Sequence, residues 1–300
     1  MIRPTLRQLE YLVAIADLGS FHAAARATHV SQPGLSAQVA QLEGLLGARL
    51  FERDRRKVLI TPVGAELAGR ARRILVEVDD LVDAVGAFTR PLCGRLSLGV
   101  IPTIAPYLLP KVMPRLREHF PELTLLLHEG QTAILVEALE RGELDLLLLA
   151  LEAPLEGVET LALFRDDFVV ALPRRHRLAA RRGVSERDLA AESVLLLDDG
   201  HCLRDQALAI CGAAPADHAD DFRASSLATL VQVVASGVGI TLLPEMAVPV
   251  EAAGAGLKTV RFRKPVPHRT IGLAWRPTSH RAEEYRMLGE QLVASWRGEG

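Results

Sequence analysis

The residue types with most chemistry to offer cluster in the stretch LLLDDGHCLRDQALAICGA, Leu195–Ala213. An apolar run, Val194–Leu197, breaks at Asp198, Asp199 and Gly200, and a short helical pattern follows. Cys202 stands near its start and Cys211 just past its end. Cys202 lies between His201 and Arg204, at a helix N-terminus that adds its own partial positive charge. These neighbours favour thiolate over thiol, so Cys202 is expected to have a depressed pKa and to be the nucleophilic sulfur. Cys211, between Ile210 and Gly212, has no cation beside it.

Spacing adds a second expectation. Nine helical steps of 1.5 Å span roughly 13 Å and turn the two side chains to opposite faces. A disulfide needs Cα atoms about 4.4–6.8 Å apart. If one helix carries both cysteines, a bond between them requires that helix to unwind and would act as a conformational switch. Two blander readings stand beside this one. Buried cysteines are commonly inert, and Cys211 alone fits that description. A metal site of His201, Cys202, Cys211 and His218 ranks last, because its spacing matches no compact zinc pattern.

Such chemistry needs a scaffold. The 300 residues allow two or three domains, each able to bury a core. Three cysteines, an odd number, argue against a secreted disulfide framework. No apolar run is long enough for a bilayer and no signal-type segment follows Met1, so a cytoplasmic protein without membrane attachment is expected. Residues 1–90 hold 12 Lys and Arg against 10 Asp and Glu, whereas the remainder is acidic, 23 against 27. Within the first part, Arg49, Arg53, Arg55, Arg56 and Lys57 form a basic cluster. A charge run alone is usually a solvated face; its position after a helical pair gives it more weight.

Helical periodicity covers Leu6–Leu18 and Phe21–Ala27. Ser31 then caps a third helix to about Leu46, with Pro33 in its first turn and Leu35, Val39 and Leu42 on its inner stripe. Two helices joined by a tight turn form a helix-turn-helix, whose second helix enters the DNA major groove. Gln32, Ser36 and Gln38 lie on its outward face and can read base edges, and Pro33 offers a contact for a thymine methyl. Arg53, Arg55 and Arg56, followed by Val58–Thr61, read as a wing reaching phosphates. A plain helical hairpin is the alternative. From Pro62 a long helix runs to about Thr89, with Leu67, Ala71, Ile74, Val78, Leu81, Val85 and Phe88 spaced by four and three. That heptad seam predicts dimerisation.

After a hinge at 90–94, which holds Cys93, strands alternate with helices. The expected fold class is α + α/β: a winged helix-turn-helix (1–60), a linker helix (61–89), and a two-lobed α/β effector domain (95–300). Lobe I takes about 95–163 plus 269–300, and lobe II about 164–268. Ligands in such folds bind at strand ends in the cleft.

Residues 6–53, LRQLEYLVAIADLGSFHAAARATHVSQPGLSAQVAQLEGLLGARLFER, resemble the DNA-binding domain of LysR-type transcriptional regulators. The C-terminal half is similar to their effector domain, of periplasmic-binding-protein type. GHCLRDQALAIC, VIPTIAPYLLP and FRASSLATL resemble the hydrogen peroxide-sensing branch of that family. The resemblance implies a peroxidatic Cys202 and a resolving Cys211. It places Thr103, Thr132, His201, Arg204, Asp205 and Arg276 around the peroxide pocket. Thr103 would hydrogen-bond a peroxide oxygen, and could equally cap the helix Ile104–Glu118. His201 and Arg204 would stabilise developing negative charge, and Asp205 would orient one of them. It also implies no cofactor, with hydrogen peroxide as effector. The partners implied are double-stranded promoter DNA, a second copy through the linker helix, a tetramer, RNA polymerase and a cellular dithiol reductant. The competing functions are a metabolite-responsive regulator with incidental cysteines and a thiol peroxidase.

Overall fold

The computed structural model describes residues 3–53, 58–87, 91–211 and 223–298. The chain divides into two compact units, Met1–Thr89 and Arg90–Gly300.

The first unit opens with α1 (Leu6–Leu18), α2 (Phe21–Ala27) and α3 (Gln32–Leu46). Their ends are set locally. Thr5 and Gln8 form a capping box on α1, Ser20 accepts from the Ala23 N–H, and Ser31 accepts from the Gly34 N–H. Gly19 and Gly47 stop α1 and α3 in the left-handed conformation. Leu35, Val39 and Leu42 are fully buried against Leu12, Ile15 and Phe21, as the stripe predicts. A two-stranded wing follows, with β1 (Phe51–Arg53) antiparallel to β2 (Val58–Ile60). The Glu43 carboxylate accepts from the Leu50 and Phe51 N–H groups and fixes the wing to α3.

The long helix α4 (Pro62–Ala87) starts at Thr61, whose hydroxyl accepts from the Gly64 N–H. Ala68 and Ala71 are buried in the core of this unit, with Leu67 packed alongside. The first two heptad positions therefore serve the domain core rather than a seam. Further along, Ile74 and Leu81 are exposed and, with Val78, line a groove between Arg70, Arg73 and Glu77. The Val85 side chain and Phe88 fall outside the described residues.

The second unit runs β3 (Gly94–Val100), α5 (Ala105–His119), β4 (Leu123–Glu129), α6 (Thr132–Glu140), β5 (Leu146–Ala150) and β6 (Glu159–Leu172). It continues with α7 (Glu186–Leu189), β7 (Leu196–Leu197), α8 (Cys202–Cys211), β8 (Arg223–Ala224) and α9 (Leu227–Ala235). It closes with β9 (Thr241–Pro244), α10 (Val248–Gly254), β10 (Lys258–Arg261), β11 (His268–Trp275) and α11 (Ala282–Arg297). The main sheet has the order β10-β6-β11-β5-β3-β4, and β9 also pairs with β6. β3 is parallel to β4 and β5, the expected α/β wiring, whereas β11 runs antiparallel to both β5 and β6.

β6 and β11 each join a polar half, Glu159–Asp167 and His268–Thr270, to a buried apolar half, Phe168–Leu172 and Ile271–Trp275. Arg281, paired with Glu284 at 3.0 Å, donates to the Arg95 and Cys93 carbonyls, and Glu284 accepts from the Leu92 N–H. That cluster ties α11 to the start of the unit. No helix of the described residues is long and apolar enough to cross a membrane.

Candidate redox site

Gly200 forms the turn into α8 with φ +91, and a Cβ there would meet the Gln131 side-chain oxygen at 2.5 Å. Only glycine permits both the conformation and the approach. Gln131 caps the neighbouring α6 and donates to the Asp199 carbonyl at 3.3 Å, so the starts of α6 and α8 face each other across a cleft. The cleft measures about 710 Å³, and its lining includes Thr132, Glu140, Glu152, Cys202, Asp205, Gln206 and His268.

Cys202 is the first residue of α8 and Cys211 the last. Both thiols are free, half-buried and at opposite ends of one helix, the arrangement in which a bond requires unwinding. Leu203, Ala207 and Ile210 anchor that helix in the core.

The electrostatics of Cys202 overturn the expected depressed pKa. Burial is the largest influence and pushes the thiol up. Arg269, the Thr132 hydroxyl and the Leu203 backbone N–H act in the opposite sense, and Asp205 adds to the rise. The expectation counted local cations and omitted the low-dielectric walls that the cleft supplies. Of the groups next to it in the chain, Arg204 is engaged elsewhere. Arg204 pairs with Asp199 at 2.9 Å and donates to the Leu197 carbonyl at 3.2 Å. His201 is buried before α8 and its carbonyl accepts from the Arg204 N–H. Asp205 is exposed on the cleft. Cys211 is pushed up to about 11, by burial first and then by the Glu186 charge on the adjacent α7.

The cation that acts on Cys202 is Arg269, whereas the resemblance implies Arg276 at the pocket. Arg276 donates to the Leu139 carbonyl at 2.8 Å and to the Leu144 carbonyl, and lies 3.9 Å from Asp145. It fastens the end of α6 to the sheet. Arg269, with no exposed surface, bonds Asp166 at 3.0 Å, the Thr103 hydroxyl at 2.8 Å and the Thr103 carbonyl at 2.9 Å. A signal was available: in HRTIGLAW, Arg269 shares a strand face with Ile271 and Leu273, an inward charge in an apolar strand.

Thr103 is buried and belongs to this cluster, but it does not cap α5. Helix α5 begins at Ala105 with Ile104 at the N-cap and no side-chain cap. Thr132 Oγ1 is buried with no partner at hydrogen-bond geometry, although it acts on the neighbouring thiol. Gln206, absent from the sequence reading, has both amide ends buried without a partner on the same cleft. Unsatisfied buried polar atoms are rare and costly in stability, and here several face one cavity. Among the described residues no cluster could hold a metal ion, and His218 lies outside them.

In the first unit Gln32, Pro33 and Gln38 are exposed on α3 and Ser36 is half-buried. The Gln38 amide oxygen accepts from Gln8 at 3.2 Å, which braces it against α1. Arg53 ends β1, while Arg55 and Arg56 lie outside the described residues.

Comparison with known proteins bears on both units. Residues 6–65 match the bacterial regulatory helix-turn-helix protein, lysR family, and residues 89–297 match the LysR substrate binding domain. A probable hydrogen peroxide-inducible genes activator of Streptomyces viridosporus is 48% identical over 297 residues, covering 98% of this chain and 95% of that protein. The DNA-binding transcriptional dual regulator OxyR of Escherichia coli is 45% identical over 293 residues, covering 98% and 96%. Among solved structures, a full-length OxyR mutant from Pseudomonas aeruginosa superposes with TM-score 0.81 at 35% identity, covering 97% and 95%. A hydrogen peroxide-bound OxyR mutant of Corynebacterium glutamicum gives 0.70 at 36%, covering 99% and 94%.

Proposed function

Because this chain belongs to the LysR family of bacterial transcriptional regulators, we propose that it senses hydrogen peroxide through Cys202 and transmits the event to DNA. One observation carries the reading: Cys202 opens a helix on a cleft, within the field of the buried Arg269, and a second thiol ends the same helix.

Burial raises the Cys202 thiol, so the proton has to leave the sulfur as it attacks, because the thiolate is the nucleophile. Peroxide enters the cleft and takes hydrogen bonds from the Arg269–Thr103 pair and the Thr132 hydroxyl. The Cys202 sulfur attacks one peroxide oxygen and the O–O bond breaks. The thiol proton passes to the departing oxygen, so sulfenic acid and water result. Cys211 then attacks the sulfenic sulfur, expelling a second water and forming the Cys202–Cys211 disulfide. Helix α8 must unwind for this, and Leu203 and Ile210 leave their core positions. The changed effector-domain surface alters how the subunits, paired through the exposed face of α4 and assembled as a tetramer, present α3 and the wing to promoter DNA. Gln32, Pro33, Ser36 and Gln38 approach bases, and Arg53, Arg55 and Arg56 the phosphates. Contact with RNA polymerase follows, and a cellular dithiol resets the switch in the cytoplasm. Peroxide is the effector, no cofactor takes part, and peroxide consumption is stoichiometric with the protein rather than sustained by turnover, unlike a peroxidase.

Disulfide mapping by mass spectrometry after mild peroxide treatment tests the reading. A dominant Cys202–Cys211 link, absent in Cys202→Ser, is expected. Two thiols that stay free, or reaction at Cys93 instead, would leave a metabolite-responsive regulator.

A further inference from the structure

Asp166 lies opposite Arg269 in the antiparallel register of β6 and β11, and both side chains are almost wholly enclosed. Asp166 Oδ1 accepts from the Met246 backbone N–H at 3.1 Å, and Oδ2 accepts from Arg269 Nε–H at 3.0 Å. A guanidinium has five N–H donors in a fixed fork. Here Nε–H serves Asp166, Nη1 serves the Thr103 hydroxyl, and Nη2 serves the Thr103 carbonyl and the Met246 sulfur at 3.5 Å. One N–H therefore has no partner among the described residues, and it sits on Nη1, the nitrogen that also holds Thr103.

We infer that Asp166 is a positioning residue for the peroxide reaction: it clamps the Arg269 guanidinium so that the remaining Nη1–H is reserved for the oxidant beside Cys202. The inference rests on the peroxide-sensing reading. At Cys202, burial and Asp205 push the thiol up against Arg269, Thr132 and the Leu203 N–H.

The distinction can be read in two rates measured on the same protein at neutral pH. Alkylation by iodoacetamide reports thiolate at Cys202, and loss of the thiol to hydrogen peroxide reports the oriented reaction. Asp166→Asn keeps one acceptor but sets an amide N–H against a second donor, and it removes a negative charge. Alkylation should stay equal or rise, while the peroxide rate falls by about 10–100-fold, the scale expected for misplacing a catalytic contact. Asp166→Glu retains the charge and shifts the carboxylate by one methylene, so its alkylation should match the parent while its peroxide rate falls; it decides the matter alone if the Asn variant does not fold. A site that is merely loosened changes both rates in the same sense, so an unchanged ratio of peroxide to alkylation rates overturns the inference. Parent protein whose Cys202 ignores peroxide would instead remove the sensing reading itself.

Discussion

Oxidation should become easier when the reduced helix is made less stable. Leu203 is 3% exposed and packs in the main core from the first turn of α8. Bringing Cys202 and Cys211 from about 13 Å apart to disulfide distance dismantles that turn, so Leu203 stabilises the reduced state alone. Leu203→Ala removes ~2–5 kcal/mol from a well-packed site. If Leu203 is exposed once the disulfide forms, that loss falls entirely on the reduced side of the couple. At ~30 mV per 1.4 kcal/mol for two electrons, the midpoint of the Cys202–Cys211 pair moves about 40–110 mV more negative. The assay equilibrates parent and variant, both carrying Cys93→Ser, in graded dithiothreitol buffers. Remaining thiols are trapped by alkylation and the disulfide fraction is counted by mass spectrometry. Ile210→Ala, at the other end of the helix, should shift the midpoint in the same direction. Midpoints that stay at the parent value in both variants would show that α8 keeps its packing on oxidation, and the unwinding argument would fall.

Other expectations concern the charges around the cleft and the DNA-reading helix. Burial pushes the Asp166 carboxyl up from 3.8, opposed chiefly by Arg269. A carboxyl whose folded pKa exceeds its unfolded value makes the fold lose stability as pH rises through that interval. Arg269→Met widens the interval, so chemical denaturation should find little loss near about pH 4 and ~3–5 kcal/mol near about pH 8; an equal loss at both would contradict the pairing. Arg276→Met should lower stability by ~1.5–3 kcal/mol through the lost carbonyl bonds of α6 while the rate of Cys202 oxidation is kept, and a folded variant with a sharply slower rate would return Arg276 to the site. In operator-binding titrations Gln32→Ala should cost ~1–3 kcal/mol on the cognate sequence only, whereas Arg53→Ala should weaken all duplexes and reduce the salt slope by ~1. Uniform weakening by Gln32→Ala would remove it from base reading.

The DNA-binding unit was legible because its determinants are local. Ser31 caps a helix whose N–H groups lie within one turn, and Leu35, Val39 and Leu42 recur at a helical period that any core-facing helix must show. The helix between Cys202 and Cys211 was equally local: the breaks at Asp198–Gly200 and the following periodicity define it, and the separation of its thiols follows from helical rise. The heptad pattern of α4 was half legible, since Ile74 and Leu81 stay exposed but Ala71 turns into the domain core.

What sequence could not give is the field at the sulfur. Arg269 and Asp166 are 103 residues apart and meet only through the register of β6 and β11, so no window of sequence contains their pair. Arg204 and His201 stand beside Cys202 in the chain, yet Arg204 turns to Asp199 and the Leu197 carbonyl. The thiol's upward shift comes from its burial in the folded unit. Residue type and spacing fixed which atoms could react and which helix carries them; dielectric and charge, summed over neighbours distant in sequence, decided how they are poised, because electrostatic energy depends on separation in space and on exclusion of water.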